Sequence, residues 1–146
     1  MKDYKDVIVN IRTAQKALGH ELVSIQQEAL GRLKLHNGSW SITYPEPSDT
    51  GESKKMTTIS SESKRAIFMD KSASDQMSLI FEEGRQHINR MTTDEGDIDI
   101  SFLTRKLKMN IGENGGTIDL NYIVSGVDID PVNTTMNFRI SPRDIS

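Results

Sequence analysis

The chain has 146 residues, with 18 basic and 21 acidic side chains, a net charge of −3, 5% aromatic residues and no cysteine. A chain of this length is expected to form a single domain over residues 1–146 without a metal, and the lack of cysteine excludes disulfides and thiolate ligands. Scattered bases and few aromatic residues argue against nucleic-acid binding, and the lack of a roughly 20-residue apolar run or a signal-peptide core predicts a cytoplasmic protein without a membrane segment.

The first 33 residues contain one clear strand and one ambiguous segment. Val7, Val9 and Ile11 alternate with polar residues, as expected of a strand with one buried face. Between Ala14 and Leu33 apolar residues recur at helical spacings among good helix formers, so periodicity alone predicts a helix there. The apolar residues at these spacings are Leu22, Ile25, Ala29, Leu30 and Leu33.

A β-hairpin is predicted around Asn37-Gly38, because a type I′ turn needs positive φ at both of its central residues. A two-residue loop pairs His36 with Ser39 and places the strand glycine Gly31 opposite Tyr44. The same register pairs Leu35 with Trp40 and Leu33 with Ile42, so apolar residues oppose apolar residues. This agreement favours strands from Gly31 to Tyr44 over a helix that extends to Leu33.

The residues after Tyr44 predict a loop followed by short strands. Two prolines exclude a central strand over residues 45–51. Short apolar segments bounded by turn residues then follow at 56–60, 66–70, 77–81 and 87–92.

Apolar residues occupy alternate positions in three successive segments between Gly96 and Gly126. The segments contain Ile98, Ile100 and Phe102, then Leu107, Met109 and Ile111, then Ile118, Leu120, Tyr122 and Val124. Turns at Thr104-Arg105 and at residues 113–116 are predicted to separate them into an antiparallel meander. In that meander Ile111 pairs with Ile118, Met109 with Leu120 and Leu107 with Tyr122.

A last strand is predicted from Val132 to Ile140, with Thr134, Met136 and Phe138 on its apolar side. The chain thus contains nine or ten antiparallel strands and belongs to the all-β class. A sheet of this size with one apolar face either curls into a barrel or splits into a sandwich, and the pattern alone leaves both open.

Several short motifs resemble those of the YwiB-like family of uncharacterised bacterial proteins, which are calycin-like (lipocalin-like) β-barrels. The matching residues are Ser74-Asp75-Gln76-Met77, Phe81, Gly84, His87, Thr93, Gly96, Thr104, Gly115-Gly116-Thr117-Ile118 and Leu120-Asn121-Tyr122. The family often has a proline and an aromatic residue where Asp94 and Glu95 stand here. The resemblance implies one closed barrel of about eight to ten strands, with strand rather than helix near Leu22–Leu30, and it brings no established activity.

The predicted site is the interior of the barrel, because a barrel of about eight strands has room for packed side chains or for one small ligand. The first hypothesis is a non-enzymatic binding protein for a small, largely apolar ligand. Its expected wall is Trp40, Met77, Met109 and Tyr122, with His87 and Arg85 as polar contacts near the mouth.

Two other functions remain open from the sequence. The barrel interior can instead be filled, with the protein acting as an interaction module or homodimer through an exposed edge. The third hypothesis is an enzyme that uses His87 with a nearby acid. We expect no cofactor and no metal site, since Asp97 and Asp99 fall on the solvent face of their strand and Asp94 and Glu95 lie in a turn.

Overall fold

The computed structural model describes residues 4–17, 19–36, 38–45, 56–62, 65–70, 77–127 and 129–143, and only the backbone at residues 69–70, 77–78, 91–93 and 129. The described residues form ten β-strands and no helix, and so contain no helix that could cross a membrane. The strands are β1 (Tyr4–Ala17), β2 (Val23–His36), β3 (Ser39–Pro45), β4 (Met56–Glu62), β5 (Arg65–Asp70), β6 (Met77–Glu82), β7 (Gln86–Thr93), β8 (Gly96–Gly112), β9 (Gly115–Gly126) and β10 (Ile129–Pro142).

All ten strands belong to one antiparallel sheet, in the order β6-β5-β4-β3-β2-β1-β10-β9-β8-β7. The sheet curls into a nearly closed barrel, as the family resemblance implies. Closure occurs where the β6–β7 turn meets β8: the Gly84 amide donates to the Thr104 carbonyl at 2.8 Å, and the Thr104 amide donates to the Arg85 carbonyl at 3.0 Å. A carboxylate oxygen of Glu83 accepts from the Leu107 amide at 3.1 Å.

The prediction of a turn at Thr104-Arg105 is wrong. Strand β8 continues through this point, and Arg105 is an extra residue between the pairs Thr104–Tyr122 and Lys106–Asn121. A bulge of one residue switches the side-chain alternation, so Phe102 and Leu107 both face the interior despite their odd separation. The sequence pattern shows the same switch from even to odd positions, which is why it resembled two strands separated by a turn.

The predicted helix after Ala14 is also wrong, since β1 extends to Ala17 and β2 begins at Val23. Alternation rather than helical spacing decides burial here: Ala29 and Leu33 are buried, whereas Leu22 and Leu30 are exposed. Although this segment contains residues of high helix propensity, it forms a strand because the hydrogen bonds of β2 with β1 and β3 outweigh that propensity.

The hairpin after His36 is confirmed. His36 pairs with Ser39, Leu35 with Trp40 and Leu33 with Ile42, and Gly38 has a φ of 84°. Asn37 lies outside the described residues.

The predicted register between β8 and β9 is two residues out of place. The loop is Glu113-Asn114, so Met109 pairs with Ile118 and Leu107 with Leu120. A shift of two residues leaves every side chain on its predicted face, which is why alternation alone did not reveal the error.

Apolar side chains fill most of the interior. One cluster, which we call the main cluster, unites β1, β2, β3, β4, β9 and β10. Its buried members are Val7, Val9, Ile11, Ala29, Leu33, Trp40, Ile42, Tyr44, Ile59, Ile118, Phe138 and Ile140. A second cluster around Phe81 and Leu120 shares the half-buried Met109 and Met136 with it. The interior at these residues is therefore a packed core.

Candidate functional site

The interior face of the barrel is open to solvent at one end. Val23 and Ile25 pair directly with Gln15 and Thr13 on the interior side of β1, yet they are 55% and 49% exposed. Ile98, on the interior side of β8, is 40% exposed. Residues directly opposite each other in an antiparallel pair project to the same face. We call this region the open end, and its rim is apolar.

Three aromatic rings line the interior next to the open end. The Phe81 ring lies 4.8 Å from that of Tyr122 and 6.1 Å from that of Phe102, and the Phe102 and Tyr122 centroids are 6.0 Å apart. Phe81 comes from β6, Phe102 from β8 and Tyr122 from β9, so the three rings, here called the aromatic wall, bridge the seam of the barrel. Phe102 and Tyr122 are only half-buried, which leaves part of this wall accessible.

A row of polar side chains runs from the aromatic wall to the open end. Strand register pairs Thr104 with Tyr122, Tyr122 with Thr134 and Thr134 with Gln15, across β8, β9, β10 and β1. Thr104 and Thr134 are 0% and 1% exposed. His87 lies beside this row, since it pairs with Phe102 on β7.

Three polar atoms of this region are buried without a hydrogen-bond partner among the described residues: Oγ1 of Thr104, Oγ1 of Thr134 and Nε2 of His87. Most buried polar groups in folded proteins are paired, and each unpaired one costs about 1–3 kcal/mol. All three lie on strands next to the half-open aromatic wall, which makes this region the candidate site.

The Tyr122 phenol belongs to the same environment. Burial raises the pKa of Tyr122, and the neighbouring Thr134 hydroxyl offsets part of that rise. The phenol also lies 3.9 Å from the sulfur of Met136, a weak hydrogen-bond acceptor. Because the phenol stays neutral at physiological pH, it can donate a hydrogen bond to an acceptor on a bound molecule.

Replacing Thr134 by valine is expected to leave the free energy of unfolding unchanged or to raise it by up to about 1 kcal/mol, because an unpaired buried hydroxyl is lost. Thr58→Val is the matched control, since the buried Thr58 hydroxyl lies 3.0 Å from that of Thr43 and is hydrogen-bonded to it. The control should lose about 1 kcal/mol. Urea unfolding followed by the fluorescence of the single tryptophan, Trp40, measures both. Equal losses in the two variants would show that the Thr134 hydroxyl is paired.

The structure brings some of the sequence-predicted site residues together and separates others. Tyr122 and Met109 contact the same apolar cluster around Phe81, and His87 is adjacent on β7. Trp40 packs in the main cluster instead, and Arg85 is exposed in the turn between β6 and β7. Met77 begins β6, but its side chain lies outside the described part of the structure.

Sequence reasoning did not select Phe81, Phe102, Thr104 or Thr134 for the site. Thr134 carried a usable signal, because it is a polar residue at an inward position between Val132 and Met136. Thr104 was hidden, since its position was assigned to a turn.

The acidic residues after Asp94 lie where the alternation placed them. Asp97 and Asp99 are exposed, and Asp99 forms a surface ion pair with Arg90 at 3.1 Å. Within the described residues, no three histidine or acidic side chains are grouped as metal ligands.

Comparisons with known proteins agree with this architecture. A family model described as a domain of unknown function (DUF1934) matches residues 9–137. The crystal structure of the ywiB protein from Bacillus subtilis is similar over 95% of this chain and 94% of that one, with 18% identity and a TM-score of 0.68. These two findings confirm the YwiB-like resemblance and the antiparallel β-barrel predicted from it.

A LolA superfamily protein from Nitrosomonas europaea aligns over 99% of this chain and 88% of its own, with 13% identity. Its TM-score of 0.29 is too low to indicate a shared fold. No curated protein matches the sequence significantly.

Proposed function

This chain belongs to the DUF1934 family, whose function is unknown, and we propose from the geometry of its barrel that it is a non-enzymatic binding protein for a small, largely apolar molecule that carries one polar acceptor group. The molecule enters at the open end and rests against the aromatic wall. The observation that carries the proposal is the cluster of three unpaired buried polar atoms on Thr104, Thr134 and His87.

The polar side chains of the site determine which chemical group the ligand must carry at the end that enters the barrel first. The hydroxyls of Thr104, Thr134 and Tyr122 can each donate a hydrogen bond, and so can His87 in its Nε2-protonated form. A carbonyl or carboxyl oxygen beside Thr104, Thr134 or His87 would pair a donor that is otherwise buried unpaired. The free energy recovered in this way favours a ligand with an acceptor over a pure hydrocarbon.

Apolar surface accounts for the remainder of the ligand. The half-buried rings of Phe102 and Tyr122, packed on the buried Phe81, present apolar surface, and Val23 and Ile25 extend the apolar lining outward. Ligand binding buries this apolar surface, and each Å² buried contributes about 25 cal/mol of favourable free energy. A small ligand pocket with an apolar lining and a few convergent polar groups is the usual form of a binding site.

A non-enzymatic role fits the side chains at the site better than catalysis does. His87 and Tyr122 are the titratable groups that the described strands place there. Among the described residues no acid hydrogen-bonds to His87 Nε2, and general acid–base catalysis by histidine commonly depends on such an orienting partner.

Titration with dansyl-labelled undecanoic acid tests the proposal, because this probe fluoresces when it leaves water. The wild-type protein is expected to enhance the emission at saturable, micromolar probe concentrations. Thr134→Val and Thr104→Val should each weaken binding about tenfold, since each removes one hydrogen bond to the acceptor. Thr58→Val should bind like wild type. No enhancement with the wild type, or equal affinity in all four proteins, would refute the proposal.

An interaction module is the second candidate, and one observation favours it. Strand β7 ends the sheet, and its outward residue Ile88 is 66% exposed beside the exposed Leu103 of β8. An exposed apolar edge strand suits pairing with a second copy of the chain. A dimer in sedimentation velocity that Ile88→Glu converts to a monomer, together with a silent probe titration, would favour this function instead.

A further inference from the structure

A depression of about 410 Å³ lies on the outside of the barrel, on the face opposite to the candidate site. Its floor is the backbone of Ile11 and Phe138, whose side chains face the interior. Polar side chains of four neighbouring strands form its rim. The rim residues are Asn10, Arg12, Gln26, Thr117, Asp119, Asn137 and Arg139. We call it the outer pocket.

Two arginines of the outer pocket have no acidic partner. Arg12 on β1 pairs in register with Asn137, and Arg139 on β10 pairs with Asn10, so the two guanidinium groups rise from diagonal positions of adjacent strands. Neither forms an ion pair among the described residues. Arg90 and Arg65, by contrast, pair with Asp99 and Glu82 at 3.1 and 3.3 Å.

The one acid of the outer pocket is already engaged. Asn137 donates from Nδ2 to a carboxylate oxygen of Asp119 at 2.7 Å, and Asp119 lies directly opposite Lys108 on β8. Lys108 is therefore the basic residue nearest to Asp119 in register on the side away from β1. Amide groups of Asn10 and Gln26 remain beside the two arginines.

The surface around the outer pocket is basic although the chain as a whole is acidic. Seven basic and three acidic residues occupy outward positions on five strands of this face, whereas the net charge of the chain is −3. The five strands are β1, β2, β9, β8 from Lys106 onward and β10 from Val132 onward. The basic residues are Arg12, Lys16, Arg32, Lys34, Lys106, Lys108 and Arg139, and the acidic residues are Asp6, Glu28 and Asp119. The potential on this face therefore attracts anions.

We propose that the outer pocket binds a phosphate-type oxyanion through Arg12 and Arg139. A guanidinium group presents a planar fork of donors that matches two oxygens of a phosphate, and two such forks with flanking amides surround one oxyanion. Because the pocket is wide and half-open, the phosphate can belong to a free small molecule or to a lipid headgroup. The proposal does not depend on the interior site, which lies on the other face of the same strands.

Isothermal titration calorimetry with pyrophosphate tests binding of a free phosphate. Flotation with vesicles that contain phosphatidylglycerol tests binding of a lipid headgroup phosphate. Arg12→Gln and Arg139→Gln should each weaken the response by about tenfold or more, since each removes charge-assisted hydrogen bonds. Arg90→Gln is the matched control and should behave like wild type, because Arg90 lies on another strand and is paired with Asp99. All three side chains are exposed, so the variants should remain folded.

A pyrophosphate response that depends on Arg12 and Arg139 supports a free phosphate ligand. Vesicle binding with the same dependence, without a pyrophosphate response, supports a lipid phosphate. Binding of either probe that Arg12→Gln and Arg139→Gln leave unchanged overturns the proposal, and so does the lack of binding to both probes at low ionic strength, where exposed charges are least screened.

Discussion

Replacing Gly116 by alanine is expected to lower the free energy of unfolding by more than about 3 kcal/mol, the largest loss from adding a single methyl group that we expect in this chain. Gly116 lies between β8 and β10, where it pairs with both Ile111 and Ile140, and its φ is 149°. A Cβ atom there would overlap the carbonyl oxygen of Asn110. Since the obstacle is backbone, no side-chain rotation relieves it.

Gly112→Ala is the matched control in the same hairpin. Gly112 pairs with Gly115 across the Glu113-Asn114 loop, its φ is not positive, and an added Cβ meets nothing within 4 Å. It should change stability by no more than about 0.5 kcal/mol. Urea unfolding monitored by Trp40 fluorescence measures both variants. If Gly116→Ala were as mild as Gly112→Ala, the close pairing of β8, β9 and β10 at this point would be incorrect.

Replacing Phe81 by alanine is expected to cost about 3–5 kcal/mol, because it removes a fully buried ring and leaves a cavity. Phe81 is 2% exposed, and its ring contacts Phe68 at 5.2 Å as well as Phe102 and Tyr122. Strands β6 and β8 are not paired in the sheet formed by the described residues, so this ring supplies much of the cohesion across the seam. Amide hydrogen exchange at Leu107 should accelerate in the variant, because the seam opens more readily.

Ile80→Ala tests whether the stability loss in Phe81→Ala comes from the position of the ring at the seam or from the loss of apolar volume alone. Ile80 is the neighbouring residue on β6, half-buried and directed to the other face of the sheet. Its truncation should cost less than half as much as that of Phe81. Similar losses for both variants, or unchanged exchange at Leu107 in Phe81→Ala, would contradict a seam held by the Phe81 ring.

The candidate site was predictable in part. Tyr122 and His87 were identified from alternation and from the family resemblance, and both lie at the open end. Trp40 satisfied the same inward pattern but packs in the main cluster, because alternation reports the face of a residue and not its height along the barrel. The wrong turn prediction at Thr104-Arg105 prevents Thr104 from being recognised as an inward strand residue. Phe81 belongs to the site because its ring contacts Phe102 on β8 and Tyr122 on β9, and local sequence does not predict these contacts.

Local patterns were enough to predict the strand class, the faces of the residues and the hairpin at His36–Ser39, since each of these depends on a period of two or on a few neighbouring residues. Three features could be found only in the folded barrel: the bulge at Arg105, the contact of the β6–β7 turn with β8 at Thr104, and the three unpaired polar atoms near the aromatic wall. These features arise from pairing between residues distant in the chain, such as Phe81 with Tyr122. The energies that select such pairings come from packing and hydrogen bonds across the closed sheet, which a local pattern does not contain.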